Sequence, residues 1–260
     1  MNDQEIRRLP ASLNRALKQG FRGAYDSLGY VVGASFVVFL ASAAVFALMR
    51  VVWQVANGIF GLLFSLPVLF VGWIGAVGIF YYVKKAIFHE NPSPSDTLTG
   101  IRHLFWPATA LFAVDAVVTT VLIGNIIFFA LAFRANGGVL IAALGIVSAY
   151  IGLMWLLMGM YHLPVMMLQS EMESEPTLRK IIYKSFLLAA DNPAFTVGLF
   201  VVIIAFSMLC ALPAMLGVAL LLPGTVAFLL IYSLRELYIK YGVIEPEPEV
   251  VEDKPWTLGE

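Results

Sequence analysis

Six long apolar runs, and the one-sided placement of charge between them, leave this chain few ways to fold. The runs extend from Tyr30 to Val52, Gly58 to Val83, Leu104 to Phe133, Val139 to Tyr161, Pro193 to Leu212 and Met215 to Tyr238. About 20 apolar residues in a helix cross the hydrocarbon core of a bilayer. The sixteen Lys and Arg residues lie almost wholly in alternate gaps between the runs. Arg7, Arg8, Arg15, Lys18 and Arg22 precede the first; Lys84, Lys85 and Arg102 separate the second from the third; Arg179, Lys180 and Lys184 separate the fourth from the fifth; Arg235, Lys240 and Lys254 follow the sixth. Only Arg50 and Arg134 fall on the other side. By the positive-inside rule this pattern predicts an all-α membrane protein, with six transmembrane helices arranged as three hairpins and both termini in the cytoplasm.

Hydrophobic residues make up 60% of the chain and charged residues 13%, with a mean hydropathy of +0.88. A soluble domain is about half apolar and a quarter charged, so the bilayer is expected to be the solvent for most of this chain. A net charge of -1 provides no broad basic surface, which excludes nucleic acid as a partner. The single Cys210 has no intramolecular disulfide partner, and no Cys/His cluster has metal-ligand spacing. Neither a metal nor a cofactor is expected. The polar stretch before the first run is too long for the n-region of a cleavable signal, so the first helix is expected to be retained.

Three units follow from this patterning: a basic amphipathic segment over 1–29, a six-helix transmembrane domain over 30–242, and an acidic, Pro-rich tail over 243–260 expected to be disordered. Before each hairpin the sequence predicts a helix lying on the cytoplasmic face of the membrane. In the first, Leu13, Leu17, Phe21 and Ala24 share one side of a 3.6-residue period, opposite Arg15, Lys18 and Arg22. Leu98, Ile101 and Phe105 form the second after Asn91-Pro92-Ser93-Pro94, with Ser95 or Asp96 as N-cap. Leu178, Ile181 and Ile182 form the third, opposite Lys180 and Lys184, with Ser174 as N-cap and Pro176 in the first turn. Arg15, Lys18, Arg22, Lys180 and Lys184 are the expected contacts to lipid headgroups.

Asp115 is the only formally charged residue deep within a predicted span. A carboxylate at that depth costs about 2.5 to 3.5 kcal/mol on insertion scales, so it must face the bundle interior and pair or stay protonated. Thr119 lies one turn away on the same face, and Asn125 lies further along, so the three form a candidate intramembrane polar site. Asp115 has two readings, as a working residue or as a hydrogen-bonded group that fixes helix register. Gly72, Gly75 and Gly78 line one side of the second helix and are expected to admit a neighbouring backbone. His89, His103 and His162 fall at the predicted cytoplasmic edge and read as surface histidines. No Walker A loop, GxSxG elbow or HExxH occurs, so an enzyme is not expected.

Two stretches carry a resemblance. Leu63-Phe64-Ser65-Leu66-Pro67-Val68, then Gly72 and Tyr81-Tyr82-Val83-Lys84-Lys85, followed later by Tyr161-His162-Leu163-Pro164, Lys184-Ser185-Phe186 and Asp191-Asn192-Pro193, resemble the YesL-like (DUF624) bacterial membrane proteins. Phe70 departs from the Thr that family members commonly carry between the Leu-Pro and the Gly. The resemblance implies a bacterial cytoplasmic membrane protein without catalytic residues, associated with carbohydrate uptake. Two functions stay open: a non-enzymatic accessory or scaffold that packs against other membrane proteins, such as a transporter or a second copy of itself, and a small transporter or solute-binding component that uses Asp115 as its proton or cation site. Contact with lipid headgroups as the main role is a third.

Overall fold

The computed structural model describes residues 11–55, 61–88, 92–172, 177–212 and 215–245. The expectations for Arg7, Arg8, His89, Asn91, Ser174, Pro176 and the acidic tail beyond Glu245 lie outside those residues. Among the described residues there are ten helices and no strand: α1 (Leu13–Asp26), α2 (Leu28–Val55), α3 (Gly61–Ile87), α4 (Ser95–Asn136), α5 (Val139–Gly159), α6 (His162–Met172), α7 (Leu178–Asp191), α8 (Pro193–Ala211), α9 (Leu216–Leu220) and α10 (Leu222–Lys240). Six stretches are long and apolar enough to cross a membrane, namely α2, α3, α4, α5 continued into α6, α8 and α10. The architecture is that of a multi-pass helical membrane protein.

Small residues set how these helices pack, as is usual where lipid is as apolar as the side chains. Along α2 and α3, Gly75 meets Val38, and Tyr30 stacks on Tyr82, with ring centroids 3.3 Å apart. Along α3 and α4, Gly78 meets Thr97, while Trp73 Nε1 donates to the Ala108 carbonyl at 3.0 Å. Along α4 and α5, Ile126 meets Gly152 and Phe129 meets Gly145. Each pair of contacts runs in opposite directions along the two helices, so these neighbours are antiparallel.

α10 is the hub, with α1, α2, α3, α6 and α8 all packed against it. Phe228, Leu229, Ile231, Leu234 and Leu237 of α10 are buried together with Arg235 and Glu236. By contrast, the most apolar stretches of α4 and α5 contain no buried residue. Bulky side chains such as Val121, Ile127, Phe128, Leu140 and Ile146 face outward there, as a lipid-facing surface requires.

Two of the predicted surface helices take different roles. α1 turns Ala16, Gly20 and Ala24 inward and lies on α10. A Cβ at Gly20 would sit 2.9 Å from Leu229 Cδ2 and 3.0 Å from its Cα, so the two backbones are nearly touching. Arg15 Nε lies 3.8 Å from Glu236 Oε1, and Phe21 meets Phe206 of α8 edge-on at 5.7 Å. Protein therefore takes up part of the face that the sequence assigned to the membrane surface, and α1 belongs to the same packed body as the spans.

The segment bearing Leu98, Ile101 and Phe105 is not a separate helix, because α4 runs unbroken for 42 residues from Ser95 to Asn136. At 1.5 Å per residue that is about 63 Å. Pro107 lies within it and does not end it. A proline deletes one backbone donor, a loss that packed neighbours in a membrane bundle tolerate. At the start of α4, Asp96 Oδ2 accepts from the Ser93 backbone N–H at 2.8 Å and Oδ1 from Lys85 Nζ at 3.1 Å, tying the end of α3 to the beginning of α4.

Candidate functional site

Asp115 stands on α4, 20 residues after the helix starts at Ser95. Its partner comes from the break between α5 and α6. α5 ends at Gly159, the Tyr161 N–H closes a short turn onto the Met158 carbonyl at 3.0 Å, and α6 begins at His162. Pro164 sits in the first turn of α6, where its missing N–H costs nothing. His162 Nδ1 then lies 3.0 Å from Asp115 Oδ1 and shares a 3.2 Å hydrogen bond with Oδ2, while the buried Oδ1 has no hydrogen-bond partner. The imidazole is fully buried and the carboxylate side chain is 20% exposed. His162 Nε2 is buried with no hydrogen-bond partner.

The sequence placed His162 at a surface, and the structure overturns that reading. The apolar run does not stop at Tyr161; it continues through Leu163-Pro164-Val165-Met166-Met167-Leu168, all of them buried. That continuation was the available signal, because an ionisable side chain flanked by apolar residues on both sides needs a partner within the bundle. His103, in contrast, is exposed as expected.

Neighbouring groups hold the pair in place. Trp155 packs edge-on against the His162 ring with centroids 5.6 Å apart, and its Nε1–H donates to Thr119 Oγ1 at 3.2 Å. Thr119 is one helical turn from Asp115, so one α5 tryptophan touches both the imidazole and the face of α4 that carries the carboxylate. In front of Asp115 lies a groove of about 620 Å³ between α3 and α4, lined by Asp115, Ala116, Thr119 and Thr120 on one side and by Leu66, Leu69, Gly72 and Trp73 on the other. Asn125 is exposed and does not line the groove, so the expected polar stripe reaches only to Thr120.

The remaining expected site residues are dispersed. Gly72 borders the groove and approaches Ser42, whereas Gly75 seats Val38 of α2 and Gly78 seats Thr97 of α4. The three glycines thus serve two different helix contacts instead of one face. Lys18 and Lys180 are exposed, Arg22 pairs with Asp26 at 3.9 Å, and Lys184 borders a second cleft with Asp191, Tyr238 and Tyr241. At that cleft Tyr241 Oη donates to Asp191 Oδ2 at 3.1 Å and accepts from Asn192 Nδ2 at 2.7 Å. Burial and the neighbouring Asp191 carboxylate both push the Tyr241 hydroxyl above its ordinary range, keeping it protonated as that donor.

Among the described residues, no three His, Cys, Asp or Glu side chains gather as metal ligation would need. The chemistry available at Asp115 is therefore that of one carboxylate and one imidazole sharing a hydrogen bond: exchange of a proton, or pairing with a cation. No family model matches the chain, and neither a curated protein nor a solved structure matches it.

Proposed function

We propose that this protein is a non-catalytic component of membrane transport that binds a solute within the bilayer, with Asp115 and His162 as its working polar pair. The observation that carries this reading is the hydrogen bond of a fully buried imidazole to a carboxylate at the wall of a 620 Å³ groove. A pair that served only to fix helix register would need no opening, whereas an exchangeable proton or cation site needs a path to one of its members. Trp155 and Thr119 keep both members oriented, as a binding site requires.

We read the spans as three hairpins that enter from the cytoplasmic side, with both termini there and the bacterial cytoplasmic membrane as the setting. The positive-inside pattern supports this orientation, and the antiparallel contacts of α2 with α3 and of α4 with α5 support the order. The accessory reading has in its favour the outward apolar faces of α4 and α5, although lipid covers such faces equally well.

Infrared difference spectroscopy of the lipid-reconstituted chain during a pH titration tests the working pair. A carboxyl band that titrates in the wild type and is missing from Asp115→Asn supports an exchangeable site. If the two difference spectra are the same at every pH the fold survives, Asp115 exchanges no proton and the proton-site reading fails.

A further inference from the structure

The groove at Asp115 differs from an ordinary lipid-facing crevice in the sign of its polar content. Its walls are mostly apolar, with Leu66, Leu69, Phe112 and Ile123 supplying bulk and Gly72 and Ala116 leaving room. The Nε1–H of Trp73 is committed to the Ala108 carbonyl, and Thr119 Oγ1 already accepts from Trp155. No Lys, Arg or His lines the groove among the described residues. The buried His162 makes one hydrogen bond from behind, while a carboxylate has room for several partners. Asp115, with its side chain 20% exposed beside a fully buried imidazole, is the member of the pair that lines the groove.

We propose that this groove binds a lipophilic cation, an amphiphilic amine or aromatic onium that enters from the bilayer. The proposal rests on Asp115 as the working residue and names the class of ligand it takes. The apolar body displaces lipid from Leu66, Leu69 and Phe112, and the positive charge pairs with Asp115. In surroundings of low dielectric that pairing is strong and an anion is repelled at the same place. Trp73 and Phe112, with ring centroids 6.1 Å apart, add aromatic faces that attract a cation. A volume of about 620 Å³ falls within the range of sites for drug-sized ligands.

Tetraphenylphosphonium and tetraphenylborate have nearly the same shape and opposite charge, so together they isolate the sign. The full chain in phosphatidylcholine nanodiscs is titrated with each by equilibrium dialysis, with empty discs as background. The phosphonium is expected to bind saturably and the borate only to partition as it does into empty discs. Asp115→Asn should weaken phosphonium binding by about tenfold or more, since it removes a desolvated ionic partner. Ala116→Leu, which fills the groove but keeps the charge, should weaken it as well. Equal saturable binding of the two ions by the wild type, or phosphonium binding untouched by both substitutions, overturns the proposal. A titrating Asp115 with no cation bound leaves the proton site standing and removes this ligand; a bound cation with a silent carboxyl does the reverse.

Discussion

Asp115 was legible from sequence and its pairing with His162 was not, for the same physical reason. A lone carboxylate among valines and alanines stands out by its cost, but nothing local says what it pairs with, and His162 lies 47 positions away, beyond the turn that separates α5 from α6. Only tertiary structure brings the two together. If they act as one unit, His162→Leu alone should lower stability by about 1 to 3 kcal/mol, because a largely buried carboxylate loses its hydrogen-bond partner. Combined with Asp115→Asn it should cost less than the sum of the two. A double-mutant cycle on thermal unfolding in detergent measures the coupling, and a value near zero would mean the pair contributes nothing as a pair.

For the helices, apolar run length located the spans but not which of them the protein encloses. α10 is the least apolar of the six, with a hydropathy of 1.3 against 1.9 to 2.5 for the others, and it is the most enclosed. Gly224, Thr225, Ser233, Arg235 and Glu236 lower its hydropathy, and each is buried. In a bilayer, polarity within a span marks the side that faces protein, a signal that a count of apolar residues discards. The glycines differ in the same way. At Gly78 an added Cβ would lie 2.9 Å from the Thr97 carbonyl oxygen, whereas at Gly29 it would meet nothing within 4 Å. Gly78→Ala should therefore destabilise by about 1 to 3 kcal/mol and Gly29→Ala by less than about 0.5 kcal/mol, and melting curves showing the opposite order would contradict this packing. The seat of α1 can be tested by labelling. Ala16→Cys, in a chain whose Cys210 is replaced by Ala, should resist a maleimide while α1 lies on α10 and react once Gly20→Leu forces the helices apart. Equal labelling of the two would place Ala16 outside that contact.

For the molecule as a whole, charge bias predicts an orientation that the packing alone cannot supply, because nothing in helix contacts distinguishes the two sides of a membrane. Ala135→Cys near the end of α4 should react with an impermeant reagent on intact cells, and Thr99→Cys near its start only after permeabilisation. Reversed accessibility would invert the topology. The helices are also unequal in length. The apolar run within α4, Leu104 to Phe133, is about 45 Å long, while the lipid-facing α8, at 19 residues, is about 28 Å, close to the hydrocarbon thickness of about 30 Å. A single flat slab of lipid cannot match both sides of such a body, so the surrounding membrane has to thicken or α4 has to tilt on one flank, while the other flank is already matched. The protein should therefore respond to bilayer thickness. Its melting temperature in a series of phosphatidylcholines of increasing chain length is expected to pass through a maximum, and a flat series would mean that tilt alone absorbs the mismatch. A molecule built this way carries a gauge of the membrane around it, with the long helix that bears Asp115 as the part that leans when the bilayer thins.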